Sequence, residues 1–495
     1  MPNAAPARDV IVSIDQGTTN TKAVLVDRDG RVVAVGSAPV GVTSPAAGWV
    51  EQSAEIIWAS VLEALAEGLG DQAWNVVGIS LSTQRESVVG WQASTGRPLG
   101  PVIGWQDSRT SASCSASFGP EARAIVRRRT GLQIDAMFSA PKMRWMLDHL
   151  PAGVESSDVR VGTVDAWLIW NLTSGRLHAG DAGNASRTLL FDVVDLAWSE
   201  ELLGLFGVVA TALPEVRASN SRFGTTIGVP GLPDGTPILA VMADSHAALY
   251  GQGCTTPGMA KATYGTGSSV MTPVDRFVPG GSPVPATLAW LTDRPTYARE
   301  GNILSSGATL AWAADLLTAG EVTDLMRLAS GVADSGGVTL VPAFSGLGAP
   351  HWDRDATAII SGLTQSTTGA HVARAAVEAV AHQICDVVDA IEADSNRLSV
   401  LRADGGVTVS DLAMQIQADL LGRDVEVADI AEISALGAAQ LGWQSLSPEL
   451  DWSSERAPRT FSPTVDPAER RRRRAVWAGE VARARLAPAK EAIDR

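Results

Sequence analysis

The sequence is poor in cysteine and in long apolar runs. Its 495 residues hold three cysteines, Cys114, Cys254 and Cys385, with no paired spacing. Scattered cysteines argue against a disulfide framework or a zinc site and are typical of a reducing compartment. No apolar run reaches the length that spans a bilayer, and residues 1–9 hold no apolar signal core. We therefore expect a cytoplasmic protein that does not enter a membrane.

Positive charge is scarce as well. The chain has 39 Lys and Arg against 54 Asp and Glu, a net charge of −15. This excess disfavours nucleic acid and anionic membranes as partners. A run of five arginines at residues 470–474 is interpreted as a solvated helix face for the same reason. A nucleotide is not excluded, because a metal, helix N-termini and amide nests hold phosphate without bulk positive charge.

The composition indicates a large α/β protein. Apolar residues make up 45% of the chain, which also holds 48 Gly and 26 Pro. A chain of 495 residues is too long for one core. We therefore predict two domains, residues 1–252 and 253–495. The boundary lies at the glycines of residues 251–253, which can absorb a backbone change at a hinge.

Residues 11–27 predict a strand, a tight turn and a second strand. The first apolar run ends on Asp15, and Gly17, Thr18 and Thr19 form the turn. Such a turn exposes backbone N–H groups, as phosphate-binding turns do. An acid at the strand end suits a hydrated Mg²⁺ carried by a nucleotide phosphate. An ordinary hairpin with a surface acid is the alternative, because such turns also serve simple hairpins.

The same plan recurs about 250 residues later. Residues 259–271 again read as strand, Gly/Thr/Ser turn and strand. We interpret the two hairpins as two phosphate clamps that face a shared cleft; two unrelated hairpins are the alternative. A third glycine turn, at residues 405–406, comes between a predicted strand and a predicted helix. There a base or phosphate can approach the backbone.

Polar side chains follow two further predicted strands. Arg85 and Glu86 come after residues 76–82, and Asp244 comes after residues 237–243. In open α/β sheets, ligands bind outside the carboxyl ends of strands. Arg85 donates in a fixed fork and Glu86 accepts from hydroxyls, which suits a polyhydroxylated ligand; a surface salt bridge is the alternative. Asp244 can be a helix cap or a general base that reaches into a cleft.

Two longer motifs carry a family resemblance. Residues 137–149 include Ser139, Lys142 and Trp145, and residues 361–378 include Ser-Gly-Leu, His-Val and Ala-Ala-Val-Glu. With the hairpins and the glycine turn, the chain resembles the FGGY family of carbohydrate kinases, closest to glycerol kinases. The resemblance implies an α/β fold with two ribonuclease-H/actin-like domains flanking a deep catalytic cleft. The first domain would lie on the substrate side and the second on the nucleotide side.

The activity that the resemblance implies is ATP-dependent phosphorylation of a hydroxyl of a small polyol or sugar. Asp244 would be the general base and Asp15 would lie near Mg²⁺. Family members often form homodimers or homotetramers, which the resemblance implies here. By position, it gives nucleotide contacts to Gly17, Thr18, Thr19, Lys22, Thr266, Gly267, Gly307, Gly405, Gly406 and Ser410, and acceptor contacts to Arg85, Glu86, Met137, Asp244, Ser245 and Ser269.

The sequence departs from glycerol kinases at several of these positions. Met137 replaces a Tyr, Ser245 a Gln and Ser269 a Phe; on the nucleotide side, Lys22 replaces an Arg and Ser410 an Asn. The three acceptor-side changes reduce bulk or remove a fixed polar contact. We therefore expect a roomier pocket that fits a four- or five-carbon polyol or ketose as well as or better than glycerol.

Three other functions are alternatives to phosphorylation of a small polyol. A xylulose-type ketose kinase is disfavoured because its usual Gln-His pattern after the strand is replaced by Arg85 and Glu86. An actin- or chaperone-like ATPase would need a peptide-binding module or polymer contacts. A degraded kinase serving as a sensor is disfavoured because Asp15 and Asp244 are intact.

Overall fold

The computed structural model describes residues 7–280, 282–395, 397–428, 432–450, 452 and 458–486. Its elements up to residue 251 are β1 (Arg8–Gln16), β2 (Asn20–Asp27), β3 (Val32–Pro39), β4 (Glu51–Gln52), α1 (Ala54–Leu69), β5 (Trp74–Thr83), β6 (Val88–Gln92), β7 (Val102–Ile103), α2 (Ser111–Ala116), α3 (Pro120–Thr130), α4 (Ser139–Asp148), β8 (Val159–Thr163), α5 (Val164–Leu172), β9 (Ala179–Asp181), α6 (Ala182–Ser186), β10 (Phe191–Asp192), β11 (Ala197–Trp198), α7 (Glu200–Phe206), β12 (Glu215–Arg217), β13 (Ile238–Ala243) and α8 (Asp244–Gly251).

The later elements follow in the same alternating manner. They are β14 (Met259–Tyr264), β15 (Ser268–Val274), β16 (Ala286–Leu291), β17 (Pro295–Ile303), α9 (Gly307–Leu317), α10 (Val322–Ser330), β18 (Thr339–Val341), β19 (Ile359–Ser361), α11 (Gly369–Glu392), β20 (Val400–Asp404), α12 (Asp411–Leu421), β21 (Val425–Val427), α13 (Ile433–Leu446), β22 (Arg459–Phe461) and α14 (Pro467–Arg485).

The first sheet has five strands in the order β13-β5-β1-β2-β3. Strand β1 runs parallel to β5 and antiparallel to β2, and β13 runs parallel to β5. Val10, Val12 and Ile14 of β1 pack into the core that includes helix α1, whereas Ile11 packs with residues of α13. Both faces of β1 are therefore covered, which explains its continuous apolar sequence.

The second sheet repeats this plan. Its seven strands lie in the order β16-β17-β15-β14-β20-β21-β22, so that β17-β15-β14-β20-β21 corresponds to the first sheet and one strand is added at each edge. Both predicted hairpins are confirmed: β1 pairs with β2 across residues 17–19, and β14 pairs with β15 across residues 265–267. Each hairpin lies at the centre of its sheet.

Helix α13 belongs to the second half of the sequence but covers the first sheet. It packs against β1, β5, β13 and α8. Helices α13 and α8 approach closely at two glycines, since a Cβ on Gly437 would lie 1.9 Å from the carbonyl oxygen of Ala247 and one on Gly251 would lie 2.5 Å from that of Ile433. A cut of the chain at residue 252 would separate α13 from the sheet that it covers.

Helix α14 carries the arginine run. Arg474 donates to Asp386 (2.6 Å) and Asp389 (2.8 Å) on α11, while Arg472 and Arg473 pair with Glu469 on their own helix. The interpretation as a solvated face is therefore wrong for Arg474, because α11 supplies acids that the sequence pattern of α14 does not reveal. None of the helices in the described ranges is long and apolar enough to cross a membrane.

Candidate active site

Three parallel strands of the first sheet end at one edge. In the register of β1, β5 and β13, Asp15 lies opposite Ser82, and Ala243 lies opposite Thr83. The residues that follow these strands are therefore neighbours. The Nε of Arg85 lies 3.6 Å from Oδ1 of Asp244, so the structure brings together predicted site residues that are far apart in sequence.

The charges of two other acids act on the carboxyl group of Asp15. Its Oδ1 accepts a 2.7 Å hydrogen bond from the Ser82 hydroxyl. Burial is the main reason that the pKa of Asp15 rises to about 6, and the negative charges of Asp244 and Glu432 raise it further, while Lys22 opposes them. A carboxyl group with this surplus of negative charge would be stabilised by a cation.

Asp244 begins α8 and remains accessible. The backbone N–H of Ser245 donates to its Oδ1 at 2.6 Å, and 37% of the Asp244 side chain is exposed. Burial raises the pKa of Asp244, although the nearby Arg85 lowers it. An accessible carboxylate with a raised pKa is a better proton acceptor than an ordinary aspartate.

Arg85 connects the two halves of the molecule. Its Nη1 and Nη2 donate to the two carboxylate oxygens of Glu300 on β17, at 2.9 and 2.7 Å. Glu300 therefore takes a hydrogen bond from each terminal nitrogen of Arg85, and the contact of Arg85 with acceptor hydroxyls stays a prediction. The Nε side of Arg85 faces Asp244.

Glu86 is buried in the same ion network. Its Oε1 accepts from Nε of Arg187 at 2.7 Å, and Nη1 of Arg187 lies 3.2 Å from Glu300. The backbone of Glu86 has a φ of 62°, a left-handed conformation that is uncommon for residues other than glycine and occurs often at functional sites. Sequence reasoning did not identify Arg187 and Glu300 as site residues.

The remaining predicted acceptor residues lie on two walls. Met137 is half-buried just before α4, and its backbone N–H donates to Asp135 at 2.9 Å. Ser269 pairs across the second hairpin with Thr263, whose hydroxyl accepts from the buried Lys261 at 2.8 Å. Because Lys261 lowers the pKa of Asp244, this part of the second sheet approaches the catalytic edge of the first.

The first hairpin turn is partly exposed. The N–H of Gly17 bonds the Asn20 carbonyl at 3.0 Å, and the Thr18 hydroxyl accepts from the indole N–H of Trp105 at 3.0 Å. Trp105 was not among the predicted site residues. Thr19 is exposed, and the Nζ of Lys22 donates to both carboxylate oxygens of Glu432, at 2.7 and 2.8 Å.

The second hairpin turn rests on the start of α9. The N–H of Gly307 donates to the Gly265 carbonyl, and the N–H groups of Ser306 and Ala308 donate to the Thr266 carbonyl. A Cβ on Gly267 would lie 2.4 Å from a carbonyl oxygen of β17. Thr266, Gly267 and Gly307 therefore form one compact unit, as their shared predicted role requires.

The glycine turn after β20 lies at the same edge as the second hairpin, because β14 and β20 are parallel. Gly405 has a φ of 97°, and a Cβ there would lie 2.4 Å from the Tyr264 carbonyl oxygen. At Gly406 a Cβ would meet nothing within 4 Å, so neither packing nor strain explains this glycine. Ser410 caps α12 by accepting from the N–H of Ala413, a structural task in addition to its predicted nucleotide contact.

Comparison with known proteins gives consistent matches over most of the chain. Residues 10–251 and 260–445 match the N- and C-terminal domains of the FGGY family of carbohydrate kinases. A glycerol kinase of Symbiobacterium thermophilum is 43% identical, covering 96% of this chain and 98% of its own. An apulose kinase of Pectobacterium atrosepticum is 44% identical over 88% of this chain and 90% of its own.

A solved structure extends the match to three dimensions. The Plasmodium falciparum glycerol kinase with ADP superposes with a TM-score of 0.91 at 30% identity, covering 97% of this chain and 98% of that one. The predicted α/β fold with two actin-like domains is thereby confirmed. The chain belongs to the FGGY family of carbohydrate kinases and is an ATP-dependent phosphotransferase that acts on an alcohol group of a sugar or polyol.

Proposed function

We propose that this kinase phosphorylates a four- or five-carbon polyol or ketose, with glycerol as a smaller and poorer acceptor. The observation that carries the proposal is the set of short or flexible side chains at Met137, Ser245 and Ser269, around an otherwise charged acceptor site. The relatives do not decide between acceptors, because a glycerol kinase and an apulose kinase are similarly close.

Asp244 accepts the proton of the attacking hydroxyl in this proposal. Its exposure, its raised pKa and its position at the carboxyl end of β13 support that role. Phosphoryl transfer depends mainly on positioning and on neutralising charge. One well-placed general base is therefore the only proton acceptor that the reaction requires of the protein. Nε of Arg85, held 3.6 Å from the carboxylate, orients that base.

The nucleotide phosphates lie between the two hairpin turns. The N–H groups of residues 18–19 and 265–267 are the proposed donors, since that of Gly17 bonds the Asn20 carbonyl, and Lys22 adds a positive charge. The carboxylate of Asp15, whose charge is disfavoured by burial and by the charges of Asp244 and Glu432, would hold Mg²⁺, which binds proteins through one or two carboxylates and keeps water and phosphate as its other ligands. When bound, Mg²⁺ neutralises phosphate charge. Gly406 leaves open space for the nucleoside.

Glu86 and Arg187 complete the acceptor side. Arg187 holds one oxygen of the Glu86 carboxylate, which fixes the side chain while its other oxygen remains an acceptor for a hydroxyl. Glu300 in turn fixes Arg85. The acceptor therefore meets a rigid set of charges, which favours one orientation of a polyol in the pocket.

Initial rates of ADP release test the proposal. Glycerol, erythritol, threitol, xylitol, xylulose and apulose are compared at equal concentrations, with an assay that lacks acceptor as the control. We expect higher kcat/KM for at least one four- or five-carbon acceptor than for glycerol. A strong preference for glycerol contradicts the proposed pocket size. ADP release that does not depend on any acceptor supports an ATPase of the actin or chaperone type instead.

A cytoplasmic location is also proposed, on the unpaired spacing of the cysteines, and a homodimeric or homotetrameric assembly is proposed on the family resemblance alone. Light scattering on the purified chain tests the assembly. A monomer at micromolar concentration contradicts it.

A further inference from the structure

The first turn of α4 contacts the backbone of the acceptor site. Lys142 is fully buried, and its Nζ donates to the carbonyl oxygens of Met137 at 2.6 Å and Gly104 at 3.1 Å. One turn earlier, the hydroxyl of Ser139 donates to the carbonyl oxygen of Glu86 at 3.1 Å. These two side chains therefore hold three separate segments of the chain.

A buried lysine is costly, so its presence needs a reason other than packing. Burial lowers the pKa of Lys142 to about 7, although the acids Glu86, Asp107 and Asp135 oppose this shift. An apolar side chain would fill the same space without desolvating a charge. The next residue, Met143, is an example of such an apolar side chain, since it belongs to the apolar core on which α4 packs.

Each segment that α4 holds carries a residue of the acceptor wall. Met137 and Glu86 are predicted acceptor contacts, and Gly104 directly precedes Trp105. The N–H of Trp105 donates to the Ser87 hydroxyl at 3.1 Å, and its indole bonds the Thr18 hydroxyl of the first hairpin turn. We call Glu86, Trp105 and Met137 the acceptor wall. Residues 104–105 and 137 lie outside any helix or strand, so the hydrogen bonds of Lys142, Ser139 and Trp105 determine the position of this wall.

We propose that Lys142 is a positioning residue for the acceptor: by binding the carbonyl oxygens of Gly104 and Met137 it fixes the distance between the two sides of the acceptor wall. Ser139 supports the third segment in the same way. This inference rests on the proposed function, because it assumes that the wall contacts the acceptor.

Steady-state kinetics with the best acceptor test this role. Lys142→Met keeps the length and volume of the side chain but removes all donors. We expect the KM for the acceptor to rise at least about tenfold, the size of effect produced by losing just one of the two hydrogen bonds of Lys142, while the KM for ATP changes less than about twofold. Ser139→Ala is expected to raise the acceptor KM in the same direction by a smaller factor, and it tests the proposal even where Lys142→Met does not fold.

Met146→Ala is the matched control. Met146, like Met143, belongs to the apolar core on which α4 packs, and its thioether has no hydrogen to donate to the three carbonyls. It should lower the melting temperature and leave the acceptor KM unchanged. If Lys142→Met and Ser139→Ala behave like Met146→Ala, or raise both KM values equally, the inference is wrong. A wild-type enzyme that releases no ADP with any acceptor contradicts the proposed function itself, which separates the two failures.

Discussion

Replacing Glu300 by Gln removes the charge that holds Arg85. Glu300 is almost completely buried, and its two oxygens bind Arg85 while Arg187 lies 3.2 Å away. Although burial opposes ionisation, the two arginines hold the pKa of Glu300 well below its usual range. Gln has the same shape but no charge, so it leaves two buried guanidinium groups with less negative charge to balance them.

The expected loss is large for a single substitution. Breaking a buried ion pair by neutralising one partner costs about 3–5 kcal/mol. A domain of roughly 150–250 residues loses about 2–4 °C of melting temperature for each kcal/mol of lost stability. The melting temperature of Glu300→Gln should therefore be roughly 6–20 °C lower than that of the wild type. Arg85, released from its anchor, moves toward Asp244, lowers the pKa of that base and reduces kcat.

Thermal unfolding followed over a range of pH gives the sharpest readout. A carboxyl group whose pKa is lowered in the folded state stabilises the protein above the pKa of the unfolded chain, about 4.3, and this contribution falls as the pH drops below that value. The difference between wild type and Glu300→Gln should therefore be constant near neutral pH and shrink below about pH 4.

Glu392→Gln is the control for a general effect of losing an Arg–Glu pair. Glu392 holds Arg423 with both oxygens in a partly exposed pair of the second half of the chain. This variant should be less destabilised and keep its kcat. If Glu300→Gln melts within about 2 °C of wild type, the buried network does not have the energetic role inferred for it.

Two further predictions concern the nucleotide side. Gly406→Ala should fold normally, because its Cβ would meet nothing within 4 Å, but raise the KM for ATP several-fold, whereas Gly405→Ala should lower the melting temperature because of its φ of 97° and the Tyr264 carbonyl; equal effects on KM and stability in the two variants would contradict the nucleoside assignment. As the pH falls below about 6, protonation of Asp15 in the free enzyme should reduce kcat/KM for ATP. Glu432→Gln should move this acidic fall in kcat/KM to lower pH, because Glu432 raises the pKa of Asp15. A fall that occurs at the same pH in both enzymes argues against coupling between the two acids.

The parts of the site that the sequence predicts are those encoded locally. Asp15 and the turn at residues 17–19 follow a continuous apolar strand, and their repetition at residues 265–267 needs no knowledge of the fold. The neighbourhood of Arg85 and Asp244 follows from one general rule, that parallel strands present their carboxyl ends at the same edge.

The parts that the sequence does not predict depend on contacts between distant segments. Arg85 and Glu300 are separated by 215 positions, and no periodicity links them. Lys142 is visible as a motif residue, but its task depends on carbonyl groups, which every residue has and which no sequence pattern distinguishes. The position of α13 on the first sheet is hidden for the same reason, since its apolar face would suit either sheet.

The central claim is that Asp244 takes the proton of the acceptor hydroxyl. Acceptor-dependent ADP release by Asp244→Asn, measured at saturating ATP and acceptor beside the melting temperature, tests it most directly. Removing a general base should lower kcat by about 10²–10⁴-fold, with the melting temperature unchanged or higher because the folded protein disfavours the charge of a carboxyl group whose pKa it raises. A folded Asp244→Asn enzyme whose kcat stays within about threefold of wild type would contradict the assignment.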